Sequence, residues 1–365
     1  GAEYHIIATL DDIAWTLNLR GRDIHTNPVN IAYLLISTQQ AILFMDREKA
    51  DAELENTLKA DGIMLKPYKS IYESLPKLKD GKSILIDPDN LNFSLFKAIP
   101  KDFIIIEKAN PAIALKAVKN ETQIQHLKKT VVKDGVALVK FLYWLEHLKK
   151  GRQISEISAA QKLLSLRKVQ EDFIDNSFDT IMAYGEHSAM CHYSATTETD
   201  VIIGKDSLLL IDSGGNYLTG TTDITRTLCP GTPTPEQMFD YTLVLKSHIA
   251  LATAIFPVDT CGVQLDTLAR QNLWQQGMNC GHGTGHGVGF FLSVHEGPAS
   301  ISPHPVDAKL EKGMVLTNEP GIYREGHYGI RLENMILLKH AFKNDFGSFM
   351  RFETLSLCHF EQSLI

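Results

Sequence analysis

The sequence predicts an α+β fold in two parts, on three observations. The chain has 365 residues, its first 115 alternate short apolar strands with helical segments, and a long helical run then gives way to β-texture after Phe173. At roughly 150 residues per domain, that length suits two domains with a sizeable core. We therefore expect a small α/β domain over 1–115 and a larger α+β domain over 116–365.

In the first domain, Ala32–Ser37 and Ala41–Met45 read as strands around Thr38-Gln39-Gln40. Arg47–Asp61 reads as a helix, Ser83–Asp87 as a strand, Leu91–Ala98 as a helix and Phe103–Glu107 as a strand. Asn110-Pro111 breaks this alternation. From Glu121 to Lys149, Ile124, Leu127, Val131, Val132, Val136, Val139, Leu142 and Leu145 recur at helical spacing. Beyond Gly151 a second helix, Ser155–Lys168, has Ser155 as its N-cap. Strands follow at Thr180–Tyr184, Ser207–Ile211, Thr222–Leu228, Met314–Asn318 and Arg331–Leu338, with helices at Pro235–Phe256 and Leu265–Gln276.

Composition excludes several classes of function. Lys+Arg total 36 against 43 Asp+Glu, a net charge of −7, so no broad basic surface is available for nucleic acid or an anionic membrane. No apolar run approaches the ~18 residues that span a bilayer. Cys191, Cys229, Cys261, Cys280 and Cys358 are scattered and contain no C-x-x-C pair, which predicts free thiols and a cytoplasmic protein. The H-E-x-x-H zinc pattern fails at His295-Glu296, and neither a G-x-S-x-G elbow nor a P-loop is present.

Five metal-ligand types lie in strand or glycine-rich contexts: Asp212, Asp223, His286, Glu319 and Glu333. If the strand ending near Asp212 folds back through a turn at Tyr217-Leu218, the residue opposite Asp212 is Asp223, and both carboxylates share a face. Glu319 and Glu333 are symmetric about Gly326, a natural turn residue, so a second hairpin pairs them too. Taken singly, each carboxylate reads as well as a solvated charge or a turn cap. Four converging carboxylates repel unless cations neutralise them. Four oxygen donors and one imidazole suit two divalent ions bridged by carboxylates, with manganese first on ligand hardness and cobalt, zinc or iron left open. His192 and His295 read either as buried structural histidines or as substrate contacts. His282 reads as a loop histidine or a support behind the ligands, and Arg331 as a salt-bridge partner or the orienter of a carboxylate.

These residues resemble those of the pita-bread metallopeptidases, the family of methionine aminopeptidase, prolidase and aminopeptidase P. Leu10-Asp11-Asp12-Ile13-Ala14-Trp15 through Gly21, Phe178-Asp179-Thr180-Ile181 and Cys191-His192-Tyr193-Ser194-Ala195-Thr196 look like the three-domain, cytosolic-type Xaa-Pro aminopeptidases. The resemblance implies a creatinase-type N-terminal domain and a pita-bread catalytic domain. It implies that Asp212 chelates one metal, that Asp223 and Glu333 bridge both, and that His286 and Glu319 complete the second. A metal-bridging hydroxide would attack the carbonyl before a penultimate proline while Glu319 manages its proton and His295 helps hold the oxyanion. His192 would contact substrate or shuttle a proton, and His282 would stand behind the ligands. The substrates would be peptides with penultimate proline, and a homodimer is expected from the resemblance alone. Measured against that family, the chain is expected to lack a first domain and the end of the catalytic domain. Two other readings remain: a prolidase acting on Xaa-Pro dipeptides, and a non-catalytic pita-bread binding protein.

Overall fold

The computed structural model describes residues 1–78, 83–148 and 153–365. The chain divides into two units, Gly1–Lys116 and Ala117–Ile365. Among the described residues, no helix is long and apolar enough to cross a membrane.

The first unit is built on a six-stranded mixed sheet, in the order Ile63–Lys66, Ala41–Met45, Ala32–Ser37, Tyr4–Ile7, Ser83–Ile86 and Ile104–Glu107. Its apolar faces bury Ile6, Leu35, Phe44, Ile84 and Ile86 on one side and Ile7, Leu34, Leu43 and Met45 on the other. This two-sided burial explains the near-continuous apolar runs. Sequence reading assigned no element to Tyr4–Ile7 or Ile63–Lys66, because four-residue runs carry little periodicity. The helix expected over Arg47–Asp61 is interrupted. A 3₁₀ turn at Arg47–Lys49 ends in extended Ala50, and Asp51 then caps a new helix, Ala52–Ala60, by accepting from the Leu54 N–H at 2.8 Å.

The second unit opens with the helix Glu121–Glu146, started by a reciprocal capping box between Asn120 and Gln123. Lys149, its expected end, and Gly151 lie outside the described residues. Ser155 caps Glu156–Arg167 through the Ser158 N–H. The strand pairings named for this unit are all antiparallel. A three-stranded sheet runs Ile224–Leu228, Leu209–Ser213, Ile181–Tyr184. A six-stranded sheet runs Ile255–Pro257, Gly347–Thr354, Asn334–Asn344, Val315–Asn318, Gly285–Gly287, Glu296–Ile301.

Two expected elements are corrected here. The helix expected over Pro235–Phe256 stops at Ala252, and Ile255–Pro257 is an edge strand. Pro257 disfavours helix at Phe256, and an edge position tolerates its missing N–H. The strand expected over Arg331–Leu338 breaks at Leu332-Glu333, between Tyr328–Arg331 and Asn334–Asn344. There the backbone leaves its hairpin ladder so that the Glu333 N–H donates to Thr225 O at 3.1 Å, tying the second sheet to the first.

Candidate metal centre

The two hairpins arrive at the same place by different arithmetic. The ladder between Leu209–Ser213 and Ile224–Leu228 pairs Asp212 with Thr225, so the expected pairing of Asp212 with Asp223 is two residues out of register. The turn sits at Leu218-Thr219, where Tyr217 pairs with Gly220, and not at Tyr217-Leu218. Strand side chains alternate with period two, so a two-residue slip preserves the face: Asp223 lies diagonal to Asp212 on the same side. The second hairpin is centred where the symmetry puts it. Gly321 pairs with Arg331 and Asn318 with Asn334, which sets Glu319 level with Glu333, and Gly326 makes the turn at φ +72°.

His286 arrives from a third direction, in the middle of Gly285–Gly287. The glycines on either side allow this close approach. A Cβ on Gly285 would sit 2.0 Å from Thr317 O, and one on Gly287 2.2 Å from Glu296 O. The His286 Nδ1 faces Gly287 O at 2.9 Å, an acceptor only, so Nδ1 carries the proton and Nε2 presents a lone pair. That lone pair faces Asp223 Oδ2 at 3.5 Å and Glu319 Oε1 at 3.4 Å. Ligand atoms of Asp223, His286 and Glu333 lie within 4.8 Å of one another.

Acceptors facing acceptors need a cation between them, and the residues present fit one. Asp212 Oδ1 and Asp223 Oδ1 are buried with no hydrogen-bond partner. Burial, with the neighbouring charges of Asp212 and Glu319, raises the Asp223 carboxyl well above its ordinary range. Glu333 is raised likewise by burial and by Asp223 and Glu319. Among the described residues, one guanidinium donates a hydrogen bond to these carboxylates. Arg331, buried, donates from Nη2 to Asp212 Oδ2 at 2.6 Å, from Nη1 to the Tyr323 hydroxyl at 2.6 Å and from Nε to Thr225 Oγ1 at 3.3 Å.

All nine residues singled out in the sequence line one cavity of about 460 Å³: His192, Asp212, Asp223, His282, His286, His295, Glu319, Arg331 and Glu333. His295 packs edge-on to His286 with ring centroids 4.3 Å apart, and burial together with that neighbour lowers its pKa. His282 donates from Nδ1 to Gly283 O at 2.7 Å and meets the Tyr323 hydroxyl with Nε2 at 2.7 Å. Burial alone would lower the His282 pKa, but the Cys280 thiol and the Glu319 charge outweigh it and raise it.

The sequence reading missed several supports. Thr225 Oγ1 donates to Glu333 Oε2 at 2.6 Å and Thr317 Oγ1 to Glu319 Oε1 at 3.0 Å. Both threonines stand two residues from a carboxylate, so period-two spacing was the available signal. Tyr323 shares that parity with Glu319. Arg270, held by Asp266 one helical turn earlier, donates to Cys280 O and His282 O and fixes the glycine-rich loop.

Both parts of the chain are similar to known proteins. Residues 125–340 match metallopeptidase family M24, and residues 1–123 match the creatinase/prolidase N-terminal domain. The chain is 41% identical to Xaa-Pro aminopeptidase 1 of Dictyostelium discoideum and 40% identical to a probable Xaa-Pro aminopeptidase P of Arthroderma gypseum. These alignments cover 100% and 99% of this chain and 59% of each relative. The crystal structure of an X-prolyl aminopeptidase from Caenorhabditis elegans, described as a cytosolic enzyme with a di-nuclear active site, superimposes with a TM-score of 0.93 at 34% identity. It covers 100% of this chain and 60% of that one. The chain thus spans about 60% of the length of these relatives. Its fold is the pita-bread fold preceded by a creatinase-type domain, and the chain belongs to metallopeptidase family M24.

Proposed function

We propose that the chain acts as a two-metal Xaa-Pro aminopeptidase, releasing the residue before a penultimate proline. The observation that carries this reading is the convergence of four carboxylates and the His286 Nε2 lone pair on one cavity, with two carboxylate oxygens left without partners. Asp212, Asp223, Glu333, His286 and Glu319 would hold two divalent ions. Ions held there supply Lewis acidity and lower the pKa of water. Manganese is the first choice, because the set is mostly hard oxygen. Residues 1–115 serve as the N-terminal domain and 116–365 carry the chemistry. The reading extends to a cytoplasmic location, supported by five free cysteines, and to a homodimer by resemblance.

The chain's own residues have separable tasks. Arg331 fixes Asp212 through Oδ2, so that Oδ1 stays directed into the centre. Glu319, steadied at Oε1 by the Thr317 hydroxyl, is the carboxylate that would take and return a proton, at Oε2. His295, on the same cavity wall and packed edge-on to His286, can donate a hydrogen bond to the oxygen of the scissile carbonyl. His192 lies on the same cavity wall, where it meets substrate or relays a proton. A proline amide has no N–H and a fixed φ, so this site gains from shape and carbonyl contacts what it loses in a donor.

The walls also favour peptides longer than two residues. Among the described residues lining the cavity, Arg331 is the one guanidinium or ammonium, and it is engaged by Asp212 and Tyr323. The terminal carboxylate of an Xaa-Pro dipeptide would therefore find no free guanidinium or ammonium among them.

The test is release of the first residue from Arg-Pro-Pro and from Gly-Pro by metal-stripped protein, with and without manganese, beside Asp223→Ala. The expected result is manganese-dependent cleavage of the tripeptide that the substitution abolishes. A strict preference for Gly-Pro would turn the assignment to prolidase, and absence of metal binding would overturn the site.

A further inference from the structure

Arg226 is a fully buried cation that the catalytic reading leaves without a task. It follows Thr225 on the strand beside Asp223, yet none of its hydrogen bonds goes to a carboxylate. Nη1 donates to Thr225 O at 2.8 Å and to Glu333 O at 2.7 Å. Nη2 donates to Asn334 Oδ1 at 2.8 Å and to Cys358 O at 2.6 Å, and Nε donates to His359 O at 3.0 Å. All five N–H donors are in use, and the guanidinium carbon stands 4.4 Å from the centroid of the Phe360 ring. A buried charge is retained at such cost only where convergent dipoles satisfy it, and here those dipoles come from three separate segments.

One of these segments carries Glu333. The Glu333 N–H donates to Thr225 O, and its carbonyl accepts from Arg226. The preceding carbonyl, Leu332 O, accepts from His248 Nδ1 at 3.2 Å. The following side chain, Asn334, accepts from Arg226 and donates to His248 Nε2 at 3.0 Å. The Phe360 ring stands edge-on against His248, with centroids 5.5 Å apart, and so closes the loop. Glu333 therefore cannot move its backbone without disturbing Arg226, and Arg226 cannot move without releasing Cys358, His359 and Phe360.

We infer that Arg226 is a positioning residue that couples docking of the Cys358–Phe360 segment to metal occupancy through Glu333. The inference rests on the reading above that Glu333 is a metal ligand. Coupling of this kind is reciprocal. A metal that fixes the Glu333 carboxylate tightens the segment, and a loosened segment weakens the metal.

The experiment compares backbone hydrogen exchange over 355–365 in the whole chain, metal-stripped and with manganese added, alongside calorimetric metal affinity for wild type, Arg226→Lys and Phe360→Ala. Exchange over 355–365 should slow when manganese binds. Arg226→Lys, which keeps the charge but not the five-donor geometry, should weaken binding about 10–100-fold, as losses behind a metal ligand do. Phe360→Ala leaves Arg226 in place if the lysine variant fails to fold, and should weaken binding about 2–30-fold, the equilibrium equivalent of a lost cation–π contact. Excess manganese should restore Phe360→Ala turnover, assayed well below the melting temperature of the metal-free variant so that rescue of a destabilised fold does not mimic the effect. Unchanged exchange over 355–365 while manganese binds, or wild-type metal affinity in Phe360→Ala, overturns the coupling and leaves the proposed function standing. A wild-type chain that binds no manganese overturns both.

Discussion

Removing the metal should invert the ordinary dependence of this protein's stability on pH. Asp223 and Glu333 are 4% and 1% exposed, and burial, followed by repulsion from the neighbouring carboxylates of the cluster, raises both carboxyls in the metal-free chain. The folded state then holds a proton that the unfolded state, with carboxyl pKa values near ~4, has already released. A raised folded pKa contributes stability that is fully present below the unfolded value and is lost as pH climbs through the folded one. For each proton held, the loss reaches about 1.4 kcal/mol per pH unit. At about 2–4 °C per kcal/mol, the melting temperature of stripped protein should fall by ~3–6 °C per unit relative to Asp223→Asn, which cannot hold that proton. Comparison with the variant removes the groups common to both. Metal binding must expel the proton, so apparent affinity should rise up to about tenfold per pH unit over the same interval. Melting curves of chelator-treated protein from pH 5 to 8, with calorimetry in buffers of different ionisation enthalpy, measure both quantities. A difference between wild type and Asp223→Asn that stays flat with pH, with no proton released on binding, would refute the reasoning.

Three further substitutions probe the supports. Thr225→Val removes the hydroxyl donor from Glu333 Oε2 and should lower metal affinity about 10–100-fold, read by competition with a fluorescent chelator. Tyr323→Phe leaves Arg331 Nη1 and His282 Nε2 without their shared partner. A buried group so unpaired costs about 1–3 kcal/mol, and the tripeptide rate should fall in proportion, about 5–150-fold, in steady-state assays. His248→Gln tests the acid limb. Burial, with the charge of Arg226, lowers His248 to about 4, so its contribution is complete above the unfolded pKa near ~6.5 and is lost as pH falls toward 4. That loss approaches ~3 kcal/mol, and urea titrations of the glutamine variant should lack it.

The sequence exposed the carboxylate cluster because antiparallel ladders obey arithmetic. Glu319 and Glu333 could be paired from symmetry about Gly326 alone, since a glycine at positive φ fixes where a hairpin folds. The first hairpin shows the limit of that method. Tyr217-Leu218 and Leu218-Thr219 are equally good turns locally, and the choice moved the partner of Asp212 from Asp223 to Thr225. The site survived the error because two residues is one full period of a strand; a slip of one would have turned every side chain away. What could not be read is which elements meet. Nothing local says that Glu333 leaves its ladder to bond Thr225, or that Ile255–Pro257 abandons a helix for the edge of a sheet. Thr225, Thr317 and Tyr323 carried only the weak signal of parity with a carboxylate. Arg226 carried none, because its partners are backbone carbonyls from distant segments.

The two buried arginines beside the centre explain why ions are needed there. Arg331 gives Nη2 to Asp212 and so offsets one carboxylate of four. Arg226 lies behind Glu333 with its donors filled by carbonyls and an amide, so it attracts the Glu333 carboxylate through space but gives it no hydrogen bond. A guanidinium turned instead toward Glu333 would pair with it, lower its pKa and remove the repulsion that draws a second cation in. Glu296, next to His295, is kept out of the cluster in the same way, by a buried ion pair with Lys119. Among the described residues, Asp223 and Glu333 thus receive no hydrogen bond from an arginine or lysine, and Glu319 and Glu333 are fixed by threonine hydroxyls, so four carboxylates face the nearby charge of few cations and a deficit remains that divalent ions can fill. Replacing Thr225 or Thr317 with lysine would test this directly: an ammonium within the cluster should raise the stability of the metal-free chain and abolish metal binding, whereas retained two-metal binding would show that geometry alone, and not the charge deficit, holds the ions.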